Sequence, residues 1–528
     1  MLRRCVVAWL CVSGSAIPAV GGQPEPATAS GVVFHDLDGD GVRSANEPGL
    51  PNVRVSNGGD IVLTDADGRY RLPVTDDTII FVIKPRGWAT PIDELKLHRF
   101  YYIHKPAGSP RLKYAGVGPT GPLPASVDFP LTPQNEPDRF DILLLGDTQP
   151  RNLTEIEYLM HDVIEQLSGT SAAFAVALGD LVYDDLELAE PLNQALAQIG
   201  VPIRPVLGNH DQDYAAADDV HADEHFERTY GPPYYSFDYG PVHFVVLDDV
   251  IWHGKTEARE GRYEAGLGAR QVEFLRNDLA LVPADQLIVL LMHIPIIEVA
   301  ERGELSQLLA KHPNTVSFSA HYHYVRHWFL GEKDGWSGPP HHHMTVATAS
   351  GSWWSGAPDE LGIPHTTMRD GTPNGWTVVS FDGRRYEVRY QPARRPAGHQ
   401  MNVYAPESVS VEQSPQTEVL VNVFFGSERS TVEMRVGGRP WVRLEPVERE
   451  DPYYAAVKKS EESEPPPPGR KLPKSIACPH LWRGVLPAGL WPGTHRIDVR
   501  ATDMFGRTHS ACRLIRVTVT ERTSDSQQ

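Results

Sequence analysis

A chain of 528 residues is too long for one ordinary core and reads as roughly two to four domains. With 41% hydrophobic residues it is globular, and its 45 glycines and 46 prolines favour β-rich architecture with many turns. The formal net charge of -19 repels phosphate backbones and excludes a nucleic-acid scaffold, although a local metal site still accepts a phosphorylated small molecule.

Arg3 and Arg4 precede a mostly apolar stretch, Cys5–Val20, and the chain from Gln23 is polar and proline-rich. The apolar part is short and broken by Ser13, Gly14, Ser15 and Pro18, so residues 1–22 read as a cleavable secretory signal, with an uncleaved anchor as the alternative. Export to the periplasm or the extracellular space is the expectation, with no transmembrane segment in the mature chain. Cys5 and Cys11 fall in the signal; Cys478 and Cys512 remain, and an even pair in an oxidising compartment predicts a disulfide, against two unpaired buried thiols.

Residues 31–133 read as a β-sandwich: Val53–Val55, Ile61–Leu63, Tyr70–Leu72 and Ile79–Ile83 are short apolar runs between turn signals. The proline-rich stretch Pro119–Pro137 reads as a linker. From Asp138 to about Pro392 the texture changes. Phe140–Leu145, Phe174–Leu178, Ile203–Leu207, Leu287–Met292 and Thr315–Ser319 have buried-strand length. Leu153, Ile156, Met160, Val163 and Leu167 recur at helical spacing behind an Asn152/Glu155 start signal. Alternating strands and helices predict a layered α/β domain over 138–392. A second β-sandwich is expected over 398–522 from Val419–Phe425, Val432–Val436 and Ile497–Ala501, with Glu461–Pro468 as an exposed loop.

The five apolar runs of the middle domain each end in potential metal ligands: Asp147 and Gln149; Asp180; Asn209, His210 and Asp211; His293; His321 and His323. Open α/β sheets gather functional groups at the carboxyl ends of their strands. Glycine before the ligand in three runs allows a tight turn off the strand. Carboxylates that bridge, imidazoles and amide oxygens suit two divalent transition metal ions, Mn, Fe or Zn, and two such ions hold both the attacking and the leaving oxygen of a phosphoryl transfer. Singly, each of these pieces is ordinary turn or core chemistry; together, in this order, they are not.

The series Gly146-Asp147-Thr148-Gln149, Gly179-Asp180, Gly208-Asn209-His210-Asp211, His293 and Ala320-His321-Tyr322-His323 resembles the calcineurin-like metallophosphoesterase superfamily over about 180 residues. The superfamily usually has His where this chain has Gln149 and Gly where it has Ala320. The resemblance implies an α/β/β/α core. It implies one metal on Asp147, Gln149, Asp180 and His323, and another on Asp180, Asn209, His293 and His321, with a hydroxide between them as nucleophile and His210 as acid catalyst. Asp184 and Asp211 are candidates to orient His210, or are ordinary solvated acids. The spacing Gly179-Asp180-Leu181-Val182-Tyr183 is also similar to that of purple acid phosphatases, in which Tyr183 would bind iron and Gln149 would be a spectator.

The stretches Tyr234–Phe237, Gly351–Gly356 and Met368–Trp376 extend the likeness to a bacterial branch whose phosphoesterase is flanked by N-terminal and C-terminal β domains. Trp353, Trp354, Asp370, Asn374 and Trp376 lie in loops expected over the metals, where they either contact a sugar, base or lipid headgroup or pack between domains. His341–His343 read as a solvated loop. Asp36, Asp38 and Asp40, with Ser44 and Glu47, have calcium-loop spacing after a β run, and hold either Ca2+ or an empty acidic turn. The expected substrate is a phosphorylated small molecule or an envelope phosphodiester. The competing class is a non-catalytic surface-binding module on a degenerate fold; a donor at every ligand position favours the hydrolase.

Overall fold

A computed structural model describes residues 27–255 and 261–519. The expected signal, with Cys5 and Cys11, lies outside the described residues.

Two facing four-stranded sheets form the N-terminal sandwich. Strict alternation makes Arg69–Val74 a half-buried strand, and Thr78–Ile83, buried throughout, lies inside the sandwich. The stretch expected as a linker is not one: Phe129–Pro133 pairs in parallel with Ala27–His35 and joins the first sheet between that strand and Trp88–Ala89. Prolines at 130 and 133 do not prevent this short strand, because Phe129 and Leu131 are the residues it buries.

The middle domain is the expected α/β/β/α stack. Its first sheet runs Ile203–Val206, Ala175–Leu178, Arg139–Leu145, Gly375–Asp382, Arg385–Pro392, with the first three strands parallel. The second runs Tyr235–Tyr239, Val242–Val246, Leu287–Leu291, Thr315–Ser319, His341–Thr345, Arg326–Leu330, and its four central strands are parallel. In Arg139–Leu145, Ile142 and Leu144 face the second sheet, whereas Leu143 and Leu145 face the helices Leu153–Leu159 and Ala189–Leu196. Phe140, Phe174, Phe244 and Phe381 interlock between the sheets at ring separations of 4.9–6.4 Å. Gly268–Leu279 and Arg302–Leu309 cover the far side with Phe274, Leu275, Leu305 and Leu309. The first helix begins as its sequence signals, with Asn152 Oδ1 accepting from the Glu155 N–H at 3.0 Å, and then widens into a π-turn over Met160–Ile164.

His341–His343 are not a solvated loop. They form a buried strand in which Ser317 Oγ joins His341 Nε2 at 2.7 Å and His343 Nδ1 at 2.6 Å. Cross-strand hydroxyls satisfy the imidazoles and let three histidines occupy the interior.

Two sheets also form the C-terminal sandwich around Val421, Trp482, Ile497 and Val499. Here the expected disulfide fails: Cys478 is a buried free thiol in one sheet, whereas Cys512 lies on the exposed face of a strand in the other. An even pair in a shared domain does not bring the two sulfurs together; the side-chain faces keep them apart. The predicted loop Glu461–Pro468 is exposed except at Glu461 and Pro467, which are half-buried. Among the described residues, no helix is long and apolar enough to cross a membrane.

Candidate metal centre

The parallel strands of both sheets end along one edge, and a parallel bridge, Gly146 to Thr348, ties the sheets together there. Asp147, Gln149, Asp180, His321 and His323 all have positive φ, between 35° and 66°. Bulky L-residues in that region are strained, and the strain concentrates where the strand ends must turn their side chains to a common point. The glycines before the ligands act in two ways. Gly179, at φ 78°, makes the expected turn, and a Cβ there would meet His293 Nδ1 at 2.5 Å. Gly208 has an ordinary φ of -116°, but its Cβ would lie 2.0 Å from the Asp180 nitrogen, so close approach is what requires glycine.

Four groups converge on one side. His293 Nε2 lies 3.1 Å from Asp180 Oδ1, 3.2 Å from Asn209 Oδ1 and 3.1 Å from His321 Nδ1. His293 donates its Nδ1–H to the Leu178 carbonyl at 2.8 Å, which leaves Nε2 as the lone pair facing the cluster. On the other side, Gln149 Nε2 donates to Asp180 Oδ2 at 2.8 Å, so Asp180 faces both groups. His323 donates Nδ1–H to the Gly351 carbonyl at 2.5 Å, and its Nε2 stands 3.4 Å from Asp147 Oδ1. Asp147 Oδ1, Gln149 Oε1 and His323 Nε2 are buried and have no hydrogen-bond partner. Three orphaned acceptor lone pairs in one pocket are costly unless a cation binds them. These residues therefore fit the divalent ions the sequence implied.

Their electrostatics agree. Burial pushes the His321 and His323 imidazoles down to about 3, so both are held in the neutral ligand form. Burial lifts the Asp147 carboxyl to about 8. Burial would lower His293, but Asp180 and Asp147 raise it to about 10. With a cation held there, Asp147 and His293 would bind it in their deprotonated forms.

His210 stands beside the cluster, Nε2 4.0 Å from Asp180 Oδ2, with Nδ1 on Asp184 Oδ1 at 2.5 Å. Burial opposes its protonation, yet Asp180 and Asp184 outweigh burial and raise its pKa. Asp184 therefore orients His210. Asp211 does not: buried, it accepts from the backbone N–H groups of Leu181, Val182 and Gly208 and pins the two ligand loops together. Tyr183 lies flat on the His210 ring at 4.4 Å, with the Arg151 guanidinium 3.8 Å above its other face. Gln149, not Tyr183, is buried among the ligands.

The other loop residues expected around a substrate are interior. Trp354 donates its indole N–H to the Thr148 carbonyl at 2.9 Å, and Trp376 is packed in the helix-side core. Asn374 donates to Asp162 and to the Ala349 carbonyl. Asp370, fully buried, accepts from Val325 N–H at 2.7 Å, Thr372 N–H at 2.8 Å and His480 Nε2 of the C-terminal sandwich at 2.9 Å. The Arg369 N–H donates to the His323 carbonyl at 3.1 Å. These residues hold the ligand loops and do not line a mouth. Trp353 is the loop tryptophan at the candidate metal centre, stacked on His323 at 3.7 Å, with its carbonyl accepting from Arg151 and Arg470 at 2.9 and 2.8 Å.

One residue escaped the sequence reading. Asp249 follows the strand Val242–Val246, is fully buried, and accepts from the His293 and Ile294 N–H groups at 3.2 Å. An apolar run ending in an acid was its signal, the same signal that marked Asp147 and Asp180. In the N-terminal domain, Asp36, Asp38 and Asp40 present oxygens within 4.8 Å of one another, and Glu47 accepts from the Leu37 and Ser44 N–H groups at 2.8 Å.

Clustered carboxylates, imidazoles and amides at the strand ends, with an oriented histidine beside them, define a metallophosphoesterase, a metal-dependent hydrolase of phosphate esters. The chain belongs to the calcineurin-like phosphoesterase superfamily. The family model for calcineurin-like phosphoesterase matches residues 140–325, that for its N-terminal region residues 38–114, and that for its C-terminal region residues 343–509. Among solved structures, a purple acid phosphatase from yellow lupin (Lupinus luteus) is 14% identical, with 64% of this chain and 67% of that chain covered and a TM-score of 0.34. A superoxide reductase (neelaredoxin) from Ignicoccus hospitalis is 16% identical, with 23% and 81% covered and a TM-score of 0.13. No curated protein matches the chain.

Proposed function

We propose that the protein is an exported phosphoesterase with a dinuclear centre: one metal on Asp147, Gln149, Asp180 and His323, the other on Asp180, Asn209, His293 and His321. The observation that carries this reading is the trio of buried, unpartnered atoms, Asp147 Oδ1, Gln149 Oε1 and His323 Nε2, next to a second set whose lone pairs already converge. Bound there, two divalent ions supply Lewis acidity and a hydroxide nucleophile at neutral pH. Asp180, which meets Gln149 through Oδ2 and His293 through Oδ1, would serve both ions. Asp184 holds His210 Nδ1, which leaves Nε2 aimed at the cluster to give its proton to the leaving oxygen. Export rests on the N-terminal sequence, since the structure removes the disulfide. Calcium in the loop Asp36–Glu47 is a separate expectation, tested by titrating the protein with Ca2+ in a calorimeter.

The decisive assay measures turnover of aryl phosphate mono- and diesters with added Mn2+, together with metal content. His323→Ala and His293→Ala are each expected to lose most activity and fall from about two ions toward one per chain. Full activity in either variant would sink the dinuclear reading. N-terminal sequencing of protein from an envelope fraction tests export, and an intact Met1 in cytosol would end it.

A further inference from the structure

Exposure determines how substrate reaches the centre. Asp147, Gln149, Asp180, Asn209, His293 and His323 are buried, whereas His210 and His321 are half-exposed. Trp353 roofs His323. Substrate therefore arrives over His210 and His321, and each of these imidazoles is flanked by two tyrosines. Tyr183 and Tyr214 lie 4.4 and 6.5 Å from His210; Tyr322 and Tyr263 lie 5.9 and 6.1 Å from His321.

The two pairs differ in how they are held. Tyr214 is fixed by its hydroxyl on the Asn209 carbonyl at 2.6 Å and by stacking on Trp252 at 4.9 Å. Tyr183 is sandwiched between His210 and Arg151. These two are wall. Tyr263 is 38% exposed, and Tyr322 is half-exposed and backed by the near-parallel ring of Tyr324 at 4.8 Å. No hydrogen bond to either hydroxyl occurs among the described residues. They come from separate elements, the strand Tyr263–Ala265 and the turn after Thr315–Ser319, yet both meet His321, the one candidate ligand imidazole that is not fully buried. Glu298, exposed and within electrostatic reach of Tyr263, disfavours an anionic tail at this place, whereas a neutral flat ring suits it.

We propose that Tyr263 and Tyr322 form a stacking subsite for a flat aromatic ring, an aryl group or a nucleobase, carried by the organic part of the phosphate ester. The inference rests on the phosphoesterase reading above and names its substrate class. Ring stacking of this kind contributes roughly 10-fold or more in binding.

The test uses pairs matched in their leaving alcohol: 2-phenylethyl against n-butyl phosphate, and uridine 5'-phosphate against ribose 5-phosphate, as monoesters or methyl diesters according to which the holoenzyme turns over. Wild type is expected to favour the ring-bearing member by roughly 10-fold in kcat/KM, mainly through KM. Tyr263→Ala and Tyr322→Ala are expected to shrink that preference, and Tyr263→Phe and Tyr322→Phe to keep it. Calorimetric binding of 2-phenylethylphosphonate against butylphosphonate to metal-loaded protein gives a readout independent of turnover. No ring preference in either measurement, a preference that survives both alanine variants, or ribose 5-phosphate matching uridine 5'-phosphate overturns the subsite. Ring-selective binding with no turnover of any ester supports the subsite and overturns the hydrolase reading instead.

Discussion

His243 gives a stability prediction with a definite sign. It is wholly buried between Asp238, 2.7 Å from Nδ1, and Asp278, 2.9 Å from Nε2, while Arg54 of the N-terminal sandwich reaches the same carboxylates at 2.5 and 3.1 Å. Two cations and two anions close the seam between domains with their charge balanced. Burial would lower the His243 pKa, but Asp278 and Asp238 raise it to about 9. Against the ordinary 6.5, this corresponds to about 3 kcal/mol, counted once for the cluster. Because the folded pKa is raised, that stability is fully present below about pH 6.5 and is lost as pH rises through about 9. Urea unfolding of wild type and His243→Gln at about pH 6 and about pH 10 isolates the group from other titrations. The stability gap between the two proteins is expected to shrink by about 3 kcal/mol at the higher pH. A gap that is flat, or that widens with pH, would refute a protonated His243.

His210→Ala is expected to keep its metals and lose roughly 100- to 10,000-fold in turnover, more steeply on an alkyl than on a nitrophenyl ester; equal losses on both would assign His210 to positioning instead. Asp184→Asn, which leaves the ring unoriented, is expected to show the same leaving-group dependence with a smaller loss, measured in the same assay. Gly208→Ala places a Cβ 2.0 Å from the Asp180 nitrogen and is expected to empty the metal centre while circular dichroism stays native; a variant with full metal content would show that the loop yields. Cys512 is expected to react with a thiol reagent in the native protein and Cys478 only after unfolding, mapped by peptide mass; equal protection of both would restore the disulfide.

The candidate ligands were legible because they follow a simple rule, an apolar run that ends in a donor, and the fold converts that rule into proximity. The same rule reached the strands of the core and missed those that break it. His341–His343 look polar, and only partners from other strands, the hydroxyls of Thr315, Ser317 and Tyr386, make them interior. Gly375–Asp382 and Arg385–Pro392 are remote in sequence from the strands that opened their sheet, so the register that joins them to Arg139–Leu145 has no local signal. Tryptophans in glycine-rich loops read equally as binding surface or packing, and burial alone separates Trp353, at the metals, from Trp354 and Trp376, beneath them. Disulfide pairing failed for a related reason: an even count of cysteines says nothing of which face of a sheet each takes.

The hydrogen bonds around Asp370 bear on where this protein can be cut. The phosphoesterase family model stops at residue 325, yet the Val325 N–H is held by Asp370, and Asp370 by His480 of the last sandwich. A recombinant fragment trimmed to the matched span would drop the support of the loop that carries His323. One trimmed after Pro392 would keep Asp370 but leave its buried carboxylate without its imidazole, a loss of about a few kcal/mol at the loop that carries His323. Arg470 adds a second tether from the same region, on the Trp353 carbonyl. The smallest unit that can be cloned, shuffled or fused with its chemistry intact therefore extends through the C-terminal sandwich.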